Sequence, residues 1–179
     1  MEIAVHICCG PCAVVFAGGL TAQNPENKLQ LLWHNPNIHP FTEYRARQQA
    51  AAAYAAAAGL PIVGADGGGY GLRSFLRAVH CADSRCEYCY RTRLEFTAKY
   101  AVETGLGAFT TTLLASPYQN FDEICRIGDD LARQYGLLFI VPDFRADYRK
   151  GLSQAAEMGL YRQKYCGCVF SEEERYSSS

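Results

Sequence analysis

The chain has 179 residues, 49% of them hydrophobic and 20% charged. This excludes global disorder and fits one domain over 1–179, because roughly two thirds of the extended surface disappears on folding at this size. Lys+Arg numbers 17 against Asp+Glu 18, a formal net charge of −1, which excludes a uniformly basic nucleic-acid binder but not a local basic patch. No apolar run reaches the about 20 residues that span a bilayer. The N-terminus also lacks a basic segment followed by an apolar core and a cleavage site, so a cytoplasmic protein with no membrane partner is expected.

Residues 2–7 (EIAVHI) read as a short strand of period-2 character and run directly into Cys8-Cys9-Gly10-Pro11-Cys12. Pro11 suits a first helical turn, and 12–22 reads as a helix. A turn at Asn24-Pro25-Glu26-Asn27 precedes a second strand at 29–34, and Pro36 and Pro40 keep 35–40 irregular. A helix over 42–58, dense in Ala, Gln and Arg, closes on Gly59, and 60–63 is a third short strand. The run 64–71 carries five glycines but lacks GxGxxG and the Lys-Ser/Thr of a phosphate loop, so it reads as a linker. A short helix at 72–80 is followed by a Cys-containing polar stretch at 81–89, with 64–90 expected to be a site-forming insertion. Helices at 90–104 and 121–135 flank a strand at 108–114. A strand at 137–141 stops at Pro142, and part of 148–158 is helical before a loop holding Cys166-Gly167-Cys168. Strands alternating with helices favour a mostly parallel sheet flanked by helices, with the Cys-rich loops forming the site.

The nine cysteines are an odd number and cannot all pair within the chain. A single buried cysteine is ordinarily a small hydrophobe, the reading given to Cys125, while Cys81 fits either core or site. The other seven form three groups: Cys8/Cys9/Cys12, Cys86/Cys89 and Cys166/Cys168. The first lies at a strand's carboxyl end and a helix N-terminus, where open parallel sheets place their sites and where thiolates are favoured. Seven thiols exceed the four of a zinc site and point to a cluster, two metals, or a metal beside a redox dithiol. Cys9 and Cys12 are also spaced as a dithiol able to close a disulfide. His6 reads as a hydrogen-bonded core or rim residue, and His80, beside Cys81 and within reach of a metal role, is not assigned to the site. The loop holding Asn35, Asn37 and His39 sits at a strand end and is a candidate substrate contact.

Charge is uneven. Segment 73–99 carries six basic against three acidic residues, and 143–164 five against three, with Tyr88, Tyr90, Tyr118, Tyr148, Tyr161 and Tyr165 interleaved. Thirteen of the 17 basic residues are arginine, which suits phosphate forks and base stacking. From the residues alone, a nucleic-acid face and an ordinary solvated surface fit equally.

The strings CCGPC (8–12), NPNIHPFTEYRAR (35–47), RCEYCYRTRLEFTA (85–98), FTTTLLASPYQNFDEICRIG (109–128), DFRADYRKG (143–151) and YRQKYCGCVFS (161–171) together resemble the QueH family of epoxyqueuosine reductases over nearly the whole chain. Gly10 stands where that family usually has Ala, a conservative change for a turn. The resemblance implies a Rossmann-like core of the adenine-nucleotide-hydrolase kind without an ATP step. It further implies reduction of the epoxide of epoxyqueuosine to queuosine in a tRNA anticodon loop. Its cofactors would be a 4Fe-4S cluster and an additional iron, with electrons from a donor the sequence does not identify. The metal role passes to Cys8, Cys9, Cys86, Cys89, Cys166 and Cys168, with Cys12 as a seventh ligand. An aspartate, Asp83 or Asp143, is a candidate to complete the ligand set, and the proton-donor candidates are Tyr118, Tyr165 and Asp143. Arg91, Arg93, Arg145 and Arg149 are the expected tRNA backbone contacts. Competing classes are a zinc-stabilised RNA-binding protein without catalysis and a metal-free dithiol oxidoreductase using Cys9 and Cys12.

Overall fold

In a computed structural model, which describes residues 1–64 and 69–177, the chain builds one parallel sheet. The strands are β1 (Glu2–His6), β2 (Lys28–Leu32), β3 (Ile62–Val63), β4 (Ala108–Thr111) and β5 (Leu138–Phe139). Their order is β3-β2-β1-β4-β5, and each neighbouring pair is parallel. The helices are α1 (Gly10–Gln23), α2 (Phe41–Ala58), α3 (Leu72–His80), α4 (Arg85–Thr104), α5 (Phe121–Tyr135), α6 (Tyr148–Glu157) and α7 (Val169–Tyr176). The α/β, Rossmann-like expectation holds.

The chain steps outward from β1 through β2 to β3, then returns to lay β4 and β5 on the other side of β1. Right-handed crossovers therefore put α1 and α2 on one face of the sheet and the crossover helices α4 and α5 on the other. On one face α1 packs against α2 and α6. On the other, α4 packs against α5, β1 and β4. Both faces of β1 are thus covered, and Ile3, Ala4, Val5 and His6 are all buried. The period-2 reading of this strand gives way to the continuous burial of a central parallel strand. The order reverses between β1 and β4, and the crevice beyond their carboxyl ends is where such sheets bind ligands.

Two boundaries differ from the sequence reading in ways that matter. The helix expected at 90–104 begins at Arg85, because the Ser84 side chain accepts the Glu87 N–H and caps it. Cys86 and Cys89 consequently lie on the first turns of a helix rather than in a loop. The strand expected at 108–114 ends at Thr111, whose hydroxyl accepts the Leu113 N–H and starts a 3-10 turn over Thr112–Ala115. Helix α7 was not anticipated. Of the Gly-rich run, 65–68 lies outside the described residues, while Gly71 precedes α3. An added Cβ at Gly10 would lie 3.0 Å from the Ala50 carbonyl oxygen, so glycine here lets α1 and α2 approach closely. No helix among the described residues is long and apolar enough to cross a membrane.

Candidate metal centre and cavity

The sulphurs of Cys8, Cys9 and Cys12 all lie within 4.8 Å of one another, buried where β1 passes into α1. Cys9 is the N-cap of α1, and its Sγ accepts the Cys12 N–H at 3.3 Å. Thr112, just beyond β4, places its hydroxyl 3.4 Å from Cys8 Sγ and accepts the Cys8 N–H at 3.2 Å. Thiol protons from Cys12 and Cys9, with Thr112 and His6, hold the Cys8 thiol well below the usual range. Burial pushes the Cys9 thiol up, and donation to Cys8 does the same for Cys12. Of the three, Cys8 is the thiol whose ionisation its surroundings favour.

The second and third cysteine groups converge. Cys86, Cys89, Cys166 and Cys168 line one small cavity of about 20 Å³. Cys86 sits in the first turn of α4, and Cys168 is the N-cap of α7. Arg85 pairs with Glu174 and lies over the Phe170 ring, which ties the start of α4 to α7. Gly167 between the two thiols has φ 145°, a backbone state that L side chains rarely adopt. Three helix N-termini, those of α1, α4 and α7, thus present thiols, and each favours negative charge there.

A larger cavity of about 680 Å³ opens beside the first group, with Cys8, Cys12 and Cys166 in its wall. Cys166, Arg93 and Gln119 line both cavities. The seven cysteines therefore form two adjoining sets that share the Cys166 boundary. All nine cysteines are free thiols; Cys81 is exposed, Cys125 half-buried, and neither joins the sets.

A scan against family models matches residues 3–174 to "Epoxyqueuosine reductase QueH". Curated relatives of the same name include one from Thermotoga maritima, 35% identical with 97% of this chain and 91% of that protein covered. Another, from Dehalococcoides mccartyi, is 32% identical with 98% and 94% covered.

The chain belongs to the epoxyqueuosine reductase QueH family.

Solved structures of similar fold include the U34-tRNA thiolase NcsA from Methanococcus maripaludis with its [4Fe-4S] cluster. Its TM-score is 0.59 at 12% identity, covering 99% of this chain and 64% of that one. A predicted subunit of tRNA methyltransferase from Methanocaldococcus jannaschii gives a TM-score of 0.54 at 15% identity, covering 88% and 76%. At these identities the likeness concerns the fold. As for metal, the chain offers a donor set that is almost purely thiol, which fits iron or zinc and not magnesium or calcium.

The other residues singled out in the sequence divide by location. Tyr118 lines the large cavity, 81% exposed, with its ring edge-on to Tyr148 at 5.9 Å. Tyr165 also lines it, but its hydroxyl donates to the His39 carbonyl. Asp143 is exposed and held by Arg145 in a fork, with contacts at 2.9 and 2.6 Å that lower its carboxyl to about 2. Neither lines either cavity, which separates Asp143 from the thiols it was expected to complete. Arg149 is exposed and Arg91 half-buried, also outside both cavities. Asn35 is fully buried with both ends of its amide engaged, 3.1 Å from His6 Nε2 and donating to the Ile7 carbonyl at 2.9 Å. It is framework at the β1–β2 end, not the substrate contact expected. His39 is buried 3.1 Å from the Pro36 carbonyl, while Asn37 lines the four-thiol cavity. Burial, with Arg93 nearby, pushes His6 down to about 3 and His34 to about 4, so both imidazoles are neutral.

Arg93 is the clearest correction. It is 2% exposed, with its guanidinium on Cys89, so it belongs to the thiol centre and not to a phosphate-binding surface. Sequence reasoning missed Gln163, whose Nε2 donates to Cys9 Sγ at 3.1 Å, and Gln119, whose Nε2 donates to Cys166 Sγ at 3.4 Å. It also missed Arg47. No local pattern signals these contacts, because their partners lie 154, 47 and 119 positions away in the chain.

Proposed function

We propose that the large cavity is where epoxyqueuosine is reduced, with the two thiol sets holding iron beside it. As a QueH family member the chain is an epoxyqueuosine reductase, an oxidoreductase of queuosine formation. The carrying observation is the gathering of seven thiols in two adjoining sets, one of which, with Cys166, walls the cavity. The reaction removes one oxygen: epoxide, two electrons and two protons give the alkene and water. An iron-sulfur cluster with an additional iron, held by Cys8, Cys9, Cys12, Cys86, Cys89, Cys166 and Cys168, supplies electron transfer and Lewis acidity when bound.

The chain's own residues bind and orient the nucleoside and hold the protons. Arg162, Lys164 and Arg175 line the cavity as cations for the anticodon-loop backbone. Tyr118 offers an exposed ring for stacking a base, and a wobble nucleoside in a single-stranded loop costs little to turn outward. Tyr148 keeps its phenol proton, because burial and the nearby thiols raise its pKa. Its place in the wall makes it a proton donor alongside Tyr118. Segment 64–90 acts as the site-forming insertion, since its end delivers Cys86 and Cys89.

The test is anaerobic reconstitution followed by assay on tRNA containing epoxyqueuosine, read by nucleoside mass. Loss of one oxygen by an iron-loaded, brown protein is expected. A colourless zinc protein that binds tRNA without turnover, or thiol–disulfide turnover without metal, overturns the reading.

A further inference from the structure

Two arginines flank the thiols at the same depth, and they are differently balanced. Arg47 and Arg93 are each 2% exposed. Arg47 has a carboxylate, Glu43, at 2.7 Å. Arg93 has none among the described residues. Its Nε donates to the Cys89 carbonyl at 3.0 Å and its Nη2 to Cys89 Sγ at 2.9 Å. Its Nη1 makes no hydrogen bond among the described residues, and the side chain borders both cavities.

A cation taken out of water without an opposite charge is strongly unfavourable, and the fold keeps such a group only where an anion meets it. The groups that meet Arg93 as anions once they ligate metal are Cys89, in contact at 2.9 Å, with Cys166 and Cys8 in the walls of the cavities it borders, so they come from both sets. The structure assigns Arg93 as the counter-cation shared by the two thiol sets, a positioning residue that raises the reduction potential of the iron they hold. The direction follows from charge: reduction adds an electron to a thiolate-bound centre, and a fixed cation with an N–H···S bond favours the more negative state. The inference rests on the iron-sulfur reading above.

The experiment compares reconstituted wild type with R93K, R93Q and R93M by iron content and by potentiometric titration followed by EPR. R93K keeps the charge and is expected to stay near the wild-type potential. R93Q, which keeps an amide N–H for Cys89 but no charge, and R93M are expected to fall by a tenfold or greater change in the reduced-to-oxidised ratio at fixed potential, 59 mV for a one-electron couple. Equal potentials in wild type and R93Q overturn the inference and leave the iron-sulfur reading intact. Should R93M fail to load iron, R93Q against R93K decides. Loss of iron from R93K as well as R93Q overturns it too, because lysine preserves the charge and only the shape has changed. A wild-type chain that takes up no iron overturns the underlying reading.

Discussion

Arg47, on α2, donates from Nη1 to the Cys166 carbonyl at 2.8 Å and from Nη2 to the Tyr165 carbonyl at 2.9 Å. One guanidinium therefore fixes the backbone of the loop that carries the third pair of thiols. The clamp has a buried ion pair at its centre. Glu43 neutralises Arg47, Tyr161 donates its hydroxyl to Glu43, and the Tyr165 ring lies under the guanidinium at 5.4 Å. The His39 N–H donates to the Gly167 carbonyl at 2.7 Å, which binds the same loop to the end of β2. Cys166 and Cys168 lie far from Cys86 and Cys89 in sequence, and this clamp is what brings the two pairs to one cavity.

Removing the clamp strands a charge. In R47M the Glu43 carboxylate stays 8% exposed and loses its partner, so unfolding stability is expected to fall by about 3–5 kcal/mol. R47K keeps charge but cannot reach both carbonyls, and is expected to fall less while still loosening the loop. Urea denaturation measures the first effect. Alkylation of metal-free protein, read by mass, measures the second: Cys168, buried in the wild type, becomes reactive in both variants. A Cys168 that stays protected in R47K shows that the fork does not hold the loop.

Gly167 is expected to tolerate no side chain. Its φ of 145° is strained for any L residue, and a Cβ there would meet Ile38 Cγ1 at 3.2 Å and Arg47 Nη1 at 3.3 Å. Gly167→Ala should cost about 1–3 kcal/mol in strain and lower metal stoichiometry, because relief requires turning Cys166 or Cys168 away from the cavity. Full metal loading in G167A, measured by iron analysis, would contradict this.

What the sequence revealed and what it hid follow the range of the interactions. The alternation of strands and helices and the position of the first thiol group were legible, because EIAVHI running into CCGPC is a local pattern with a local cause. The start of α4 was missed because Ser84, a strong N-cap, was read as part of a polar loop; placing the cap would have put Cys86 and Cys89 on a helix. Arg93 was expected on the surface because an arginine inside RCEYCYRTRLEF shows no sign of burial. Its side-chain partner is the Cys89 thiol and not an acidic residue. The division of seven cysteines into two sets depends on the Arg47 clamp, a contact across 119 positions that no spacing rule detects.

Tyr118 separates two roles by its substitutions. As a stacking platform it is expected to lose about 1–3 kcal/mol of binding when truncated, so Y118A should weaken affinity for an anticodon stem-loop by roughly 5- to 150-fold. Being 81% exposed, it should change protein stability little. Y118F keeps the ring and should bind as wild type. If Y118F binds normally but turns over slowly, the hydroxyl has a proton-transfer role in addition; if Y118A binds normally, the stacking role is wrong. Fluorescence anisotropy for binding and single-turnover kinetics for chemistry decide.

Salt dependence locates the tRNA face. Each phosphate contact to a single strand contributes about 0.7 to the slope of log affinity against log salt. Arg162, Lys164 and Arg175 line the cavity, so replacing any one by Gln is expected to weaken binding and flatten the slope by about that amount. Arg145 is the contrasting case. It is exposed, but its guanidinium is forked onto Asp143 and lies over the Phe121 ring at 4.1 Å, away from both cavities. Arg145→Gln should leave the slope unchanged. A flattened slope in R145Q with an unchanged one in R162Q would move the nucleic-acid face from the cavity rim to the surface beside α5.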